Sequence, residues 1–149
     1  MRPSEIRHRI LEDHERLRGV LLSLEFLGRR ILDGDAESLG LLRLKGETLH
    51  GLLLEHMEWE DHFLAPALRR AGAWGLERAR SLDREHLEQR ELLNHILAGL
   101  RDPTRPSVTL ARTMVDLVAL LRADMQDEEE TTLDPRMLWD QGGSAARRP

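Results

Sequence analysis

Three groups of helix breakers divide this 149-residue chain into four segments of similar length, and that division constrains the fold more than any other feature. Asp33-Gly34-Asp35, Ala71-Gly72 and the run Arg101-Asp102-Pro103-Thr104-Arg105-Pro106 interrupt a sequence dominated by Leu, Arg, Glu and Ala, all residues that tolerate helix well. The spacing predicts helices over about 4–32, 36–70, 75–100 and 107–132, with Ser4 and Ser107 as N-caps. At 1.5 Å per residue, segments of about 25 to 30 residues are roughly 40 Å long and can lie side by side. The expected fold is therefore all-α, an antiparallel up-down-up-down four-helix bundle. One domain is expected over 1–135, with 136–149 as a C-terminal extension. Within it Met137, Leu138 and Trp139 are expected to dock back onto the bundle, and the Gly, Ser, Ala and Arg stretch from 142 reads as disordered.

Residues that face a bundle interior recur at alternating steps of three and four. The first stripe reads Ile10, His14, Leu17, Leu21, Leu24 and Ile31, and the second Leu49, Leu53 (or Leu52), His56, Glu60, Phe63 and Ala67. The third reads Ala79, Leu82, His86, Arg90 or Gln89, Leu93, Leu97 and Leu100, and the fourth Leu110, Met114, Leu117, Leu121, Asp124 and Glu128. Every apolar seam is thus broken by a polar group. A buried carboxylate or imidazole without a partner costs several kcal/mol, so these side chains must neutralise one another or share something else.

A metal cluster satisfies that demand. His56 and Glu60, and likewise Asp124 and Glu128, are one helical turn apart and project toward the same point. His14 lies early on the first helix, His56 and Glu60 late on the second, His86 early on the third, and Asp124 and Glu128 late on the fourth. In an up-and-down bundle all six meet at one end. A lone histidine on an apolar face is ordinarily a core residue bonded to a carbonyl, and HxxxE alone is a common surface pair. The coincidence of face and level across four helices favours His14, His56, Glu60, His86, Asp124 and Glu128 as metal ligands. His8, His50, His62 and His95 fall off the stripes, with His50 and His62 near enough to His56 to act as outer hydrogen-bond partners. Arg90 or Gln89 is placed to hydrogen-bond a ligating carboxylate.

Composition narrows the chemistry. The chain has no cysteine and no tyrosine, so thiolate ligation and tyrosyl chemistry are excluded and any metal must take nitrogen or oxygen donors. A net charge of −5 without a basic stripe argues against nucleic acid as a partner. No apolar run reaches the length of a membrane span and the opening MRPSEIRHRI lacks a signal-peptide core, so a cytoplasmic, membrane-free protein is expected.

The segment from Leu54 to Pro66, LEHMEWEDHFLAP, is similar to the hemerythrin-like (HHE cation-binding) pattern, in which HxxxE and a second acid precede a Leu-x-Pro step. Leu121 to Glu129, continuing to Leu133-Asp134-Pro135, resembles a second copy, Glu85-His86-Leu87 the EH element between them, and Glu12-Asp13-His14-Glu15 the opening histidine. The resemblance covers about residues 5 to 135. It implies a bundle holding two non-haem iron ions, bridged by oxo or hydroxo, with manganese or zinc as substitutes, and with His14, His56, Glu60, His86 and Glu128 at ligand positions.

Two departures stand out. Asp124 occupies the place of the family's usual histidine on the fourth helix, and Arg90 stands where oxygen carriers place a second histidine on the third. The final Pro also comes one residue later in the second copy, leaving Glu129 as an alternative to Glu128. Three carboxylates against about four charges of two ferrous ions leave about +1, compared with about +2 in carriers with two carboxylates, and the extra anion favours ferric iron. The expected function is binding of, or reaction with, O2, nitric oxide or peroxide. A di-iron oxidase, peroxidase or oxygenase, an iron store or sensor, and a metal-free bundle that binds a partner helix are the alternatives.

Overall fold

A computed structural model of the chain describes residues 1–140, so the disorder expected from residue 142 lies outside the described residues. Its elements are α1 (Pro3–Leu32), a 3-10 turn (Ala36–Ser38), α2 (Leu39–Trp59), a π-helical turn (Glu60–Leu64), α3 (Ala65–Arg69), α4 (Gly72–Arg101) and α5 (Ser107–Glu130). α2, the π turn and α3 follow without a break, so four rods form the bundle. No helix among the described residues is long and apolar enough to cross a membrane.

Gly34 and Gly72 hold φ of 108° and 80°, a left-handed conformation that glycine adopts without steric cost, and both stand at turns between rods. The expected caps shift by one or two residues. Pro3 opens α1, where its fixed φ and missing N–H do no harm, and the Arg2 N–H donates to Glu5 Oε2 at 2.7 Å. Ser4, expected to cap that helix, instead donates its N–H and hydroxyl to Asp140 at 2.8 and 2.6 Å. Ser107 is the first residue of α5 rather than its cap, which is Pro106. α4 starts at Gly72, earlier than expected.

Contacts between rods pair rising numbers on one with falling numbers on the other. Arg18 meets Glu129 and Glu25 meets Arg122 between α1 and α5. Glu47 meets Arg101 and Glu60 meets His86 between the second rod and α4. The larger apolar cluster, including Leu17, Leu21, Leu24, Leu49, Leu53, Leu93, Leu97, Met114 and Leu117, fills the long part of the bundle. A second cluster joins Ile6, Ile10, Leu64, Leu68, Ala79 and Leu82 with Leu133 and Leu138. Each fully buried leucine contributes about 1.5–3 kcal/mol. Leu138 is buried, and Arg7 donates to the carbonyls of Leu133 and Leu138, which fastens residues 133–138 over this second cluster.

Buried polar groups separate the two clusters: Asp13, His14, His56, Glu60, His86 and Glu128. The polar layer is therefore internal, with an apolar cap beyond it.

The π turn explains one departure from the second stripe. Phe63 is only half-buried while Leu64 is fully buried, because the wider turn shifts the inward face by one residue after Glu60. The N–H of Ala65 reaches back to the Glu60 carbonyl, five residues away. Pro66 follows directly. It has no N–H to offer the carbonyl of residue 62 and its ring would crowd that carbonyl in a regular α-helix, so local widening accommodates it.

Candidate metal centre

The three histidines of the layer share one arrangement, with Nε2 facing an inner carboxylate and Nδ1 an outer one. His14 has Nε2 3.1 Å from Glu128 Oε1 and Nδ1 2.9 Å from Glu129 Oε2. His56 has Nε2 3.0 Å from Glu60 Oε1 and Nδ1 3.1 Å from Asp13 Oδ2. His86 has Nε2 3.2 Å from the same Glu60 Oε1 and Nδ1 2.8 Å from Asp61 Oδ1. A carboxylate can only accept, so each Nδ1–H donates outward, and a neutral ring then turns its Nε2 lone pair inward.

Arginines fasten every outer carboxylate. Arg18 donates to both oxygens of Glu129 at 2.8 and 2.7 Å, Arg9 and Arg16 reach Asp13 at 3.1 and 2.5 Å, and Arg90 reaches Asp61 at 3.0 Å. The guanidinium of Arg9 also lies 5.2 Å from the ring centre of Trp59, which is 4.8 Å from Phe63 in the apolar cap. Trp59 therefore packs beside the centre rather than lining it.

Inside the layer two carboxylate oxygens, Glu60 Oε2 and Glu128 Oε1, are buried and accept no hydrogen bond. The approach of His14 Nε2 to Glu128 Oε1 is close enough for an ion pair but misaligned for a hydrogen bond. An unpartnered buried carboxylate oxygen costs several kcal/mol unless something positive meets it. Ligand atoms of His14, His56 and Glu128 all lie within 4.8 Å of one another, so this donor set fits a metal ion.

The electrostatics agree. Burial opposes the charged form of His56, but Glu60 and Asp13 outweigh it and hold the imidazole up at about 10. Burial likewise opposes the charge of His14 and His86, and their carboxylates raise both. Asp13 falls to about 2 despite its burial because His56 and Arg9 bond its charged form. Glu60 is lowered by His56 and His86 against the effect of burial. Glu128 behaves oppositely: burial and the nearby Glu60 charge push it up to about 7, only partly offset by His14. The layer thus holds a carboxylate in want of a cation.

Of the six residues expected as ligands, His14, His56, Glu60, His86 and Glu128 meet in this layer. Asp124 is half-buried and lines the same cavity, its Oδ2 accepting from Gln89 Nε2 at 2.8 Å. Met125, its neighbour, takes the buried place on the stripe. Glu129 faces outward to Arg18 and His14 Nδ1, while Glu128 faces the cavity.

Residues 5–134 match the hemerythrin HHE cation binding domain. The chain belongs to that family. No curated protein and no solved structure matches it. In this hemerythrin-type domain Arg90 holds Asp61 instead of facing the centre, and Gln89 rather than Arg90 bonds a carboxylate on the cavity wall. His50 and His62 have no place in the outer ring; His62 is exposed, packed edge-on to Phe63. The outer partners are Asp13, Asp61 and Glu129. Each directly precedes or follows an inward residue, a signal that was present in the sequence as paired positions 13–14, 60–61 and 128–129.

Proposed function

We propose that this chain is a dinuclear non-haem iron protein that binds or reacts with O2, nitric oxide or peroxide, held by His14, His56, Glu60, His86, Asp124 and Glu128. The observation that carries the reading is the division of each histidine into an outward Nδ1 fixed by a carboxylate and an inward Nε2, around two buried oxygens without hydrogen bonds. Such outer carboxylates orient ligating imidazoles and increase their basicity. Bound iron would supply redox electrons and open coordination positions for a small ligand.

Glu60 stands between His56 and His86 and is suited to serve two ions at once. Leu17, Leu21, Leu49, Leu53 and Leu121 line the cavity beside the polar groups and restrict water there. That apolar wall also supports a second reading, an oxidase or oxygenase acting on a small apolar molecule.

Iron analysis of the purified protein tests the first reading: about two irons per chain with a near-ultraviolet ferric band are expected. A colourless, iron-free protein that folds normally and takes up no iron would overturn it. Rapid mixing of the reduced protein with O2 separates the readings: a reversible spectral change favours binding, and oxidation accelerated by an added substrate favours the enzyme.

A further inference from the structure

Resting on the reading that the layer holds two ions, we infer that its two positions are unequal: a tight one at His14, His56 and Glu128, and a labile one at His86 and Asp124, with Glu60 shared. The labile position is suited to a harder divalent cation such as Mn2+.

The first group needs no rearrangement. Its three ligand atoms already lie within 4.8 Å of one another and all three residues are buried. Two imidazoles with carboxylate suit Fe2+ or Zn2+. Glu60 presents Oε1 to His56 and His86 at 3.0 and 3.2 Å, and its Oε2, in a side chain only 2% exposed, has no hydrogen-bond partner.

The other side is looser in each respect. It has one imidazole, His86, and its further carboxylate, Asp124, is tied to Gln89, so ligation there competes with an existing hydrogen bond. The outer supports grade the same way. Asp13 behind His56 is 9% exposed and Glu129 behind His14 is 23% exposed, whereas Asp61 behind His86 is 38% exposed. One imidazole among carboxylates holds Zn2+ less firmly than two imidazoles do, and its oxygen-rich donor set also accepts a harder ion such as Mn2+.

Calorimetric titration of the metal-free protein with Zn2+ tests this, followed by Mn2+ added to protein carrying one equivalent of Zn2+ and read by electron paramagnetic resonance. Two Zn2+ steps about 10- to 100-fold apart are expected, the range by which outer partners alter metal affinity. The one-zinc protein should bind one Mn2+. His86→Gln should leave the first step unchanged and remove the second. Asp124→Asn should weaken only the second, and it decides the matter if His86→Gln does not fold.

Two steps of equal affinity, or loss of both steps in the His86 or Asp124 variant, would overturn the inequality while leaving the dinuclear reading intact. A wild-type protein that binds one ion or none would overturn both.

Discussion

Asp13 Oδ2 accepts a hydrogen bond from His56 Nδ1 at 3.1 Å across the α1–α2 interface, and the pair is almost wholly buried. The contact fixes the ring so that Nε2 points at Glu60. Asp13→Asn keeps the shape but removes the charge and lets the imidazole swivel. Metal affinity of the variant, measured by competition with a chelator, is expected to fall about 10- to 100-fold. An unchanged affinity would show that His56 needs no outer anchor.

Glu128 and Glu129 are neighbours with opposite duties. Glu129→Gln weakens the Arg18–Glu129–His14 chain but spares the inner donors, so it should retain metal stoichiometry with reduced affinity. Glu128→Gln removes an inner donor and should lose bound metal. Because burial and Glu60 push Glu128 up to about 7, the neutral amide relieves an unfavourable charge in the metal-free protein. At pH 8 metal-free Glu128→Gln should be more stable than metal-free wild type by about 1–3 kcal/mol in urea unfolding.

The pH response should reverse on loading. In the metal-free protein His56 is raised from 6.5 to about 10, so its contribution is full below 6.5 and is lost as pH rises through 10. Glu128 is raised from 4.5 to about 7, so its ionisation subtracts stability between pH 4.5 and about 7 and by a constant amount above that. Asp13 is lowered from 3.8 to about 2, and its contribution is present above 3.8 and lost as pH falls through 2. Metal-free protein should therefore be most stable near pH 4–5 and weaken toward pH 9. Metal requires neutral imidazoles and ionised carboxylates, so loading releases protons and affinity rises with pH. Thermal melts at pH 5, 7 and 9, with and without metal, read both trends.

Asp140 offers its carboxylate to the N–H and hydroxyl of Ser4 in the first turn of α1. This is an N-terminal cap supplied from the far end of the chain. Asp140→Ala should cost about 1 kcal/mol and lower Tm by about 2–4 °C for a chain of this size. Metal stoichiometry should not change, since the contact lies beyond the apolar cap.

Four rods and their breaks could be read from the sequence because Gly, Pro and Asp clusters act locally. The inward faces of His14, His56, Glu60, His86 and Glu128 could be read because helical period alone decides them. The π turn could not, since it arises from fitting Pro66 into a continuing helix, and it moved the buried place from Phe63 to Leu64. Nor could the outer carboxylates be assigned. Whether Asp61 or His62 backs a histidine depends on how that wider turn aims successive side chains across to α4. Asp124 lies at the edge of its stripe, where a few degrees of helix rotation decide between cavity wall and interior.

The polar layer divides the apolar interior into two bodies, which only the rods themselves carry across from one to the other. With an ion in place, that joint rivets them into a single unfolding unit. Stripped of its ion, that joint is expected to be a seam along which the smaller body, with Leu133 and Leu138, opens before the long leucine core. Loss of metal should then be read in hydrogen exchange as a local opening at one end of the molecule rather than as collapse of the whole.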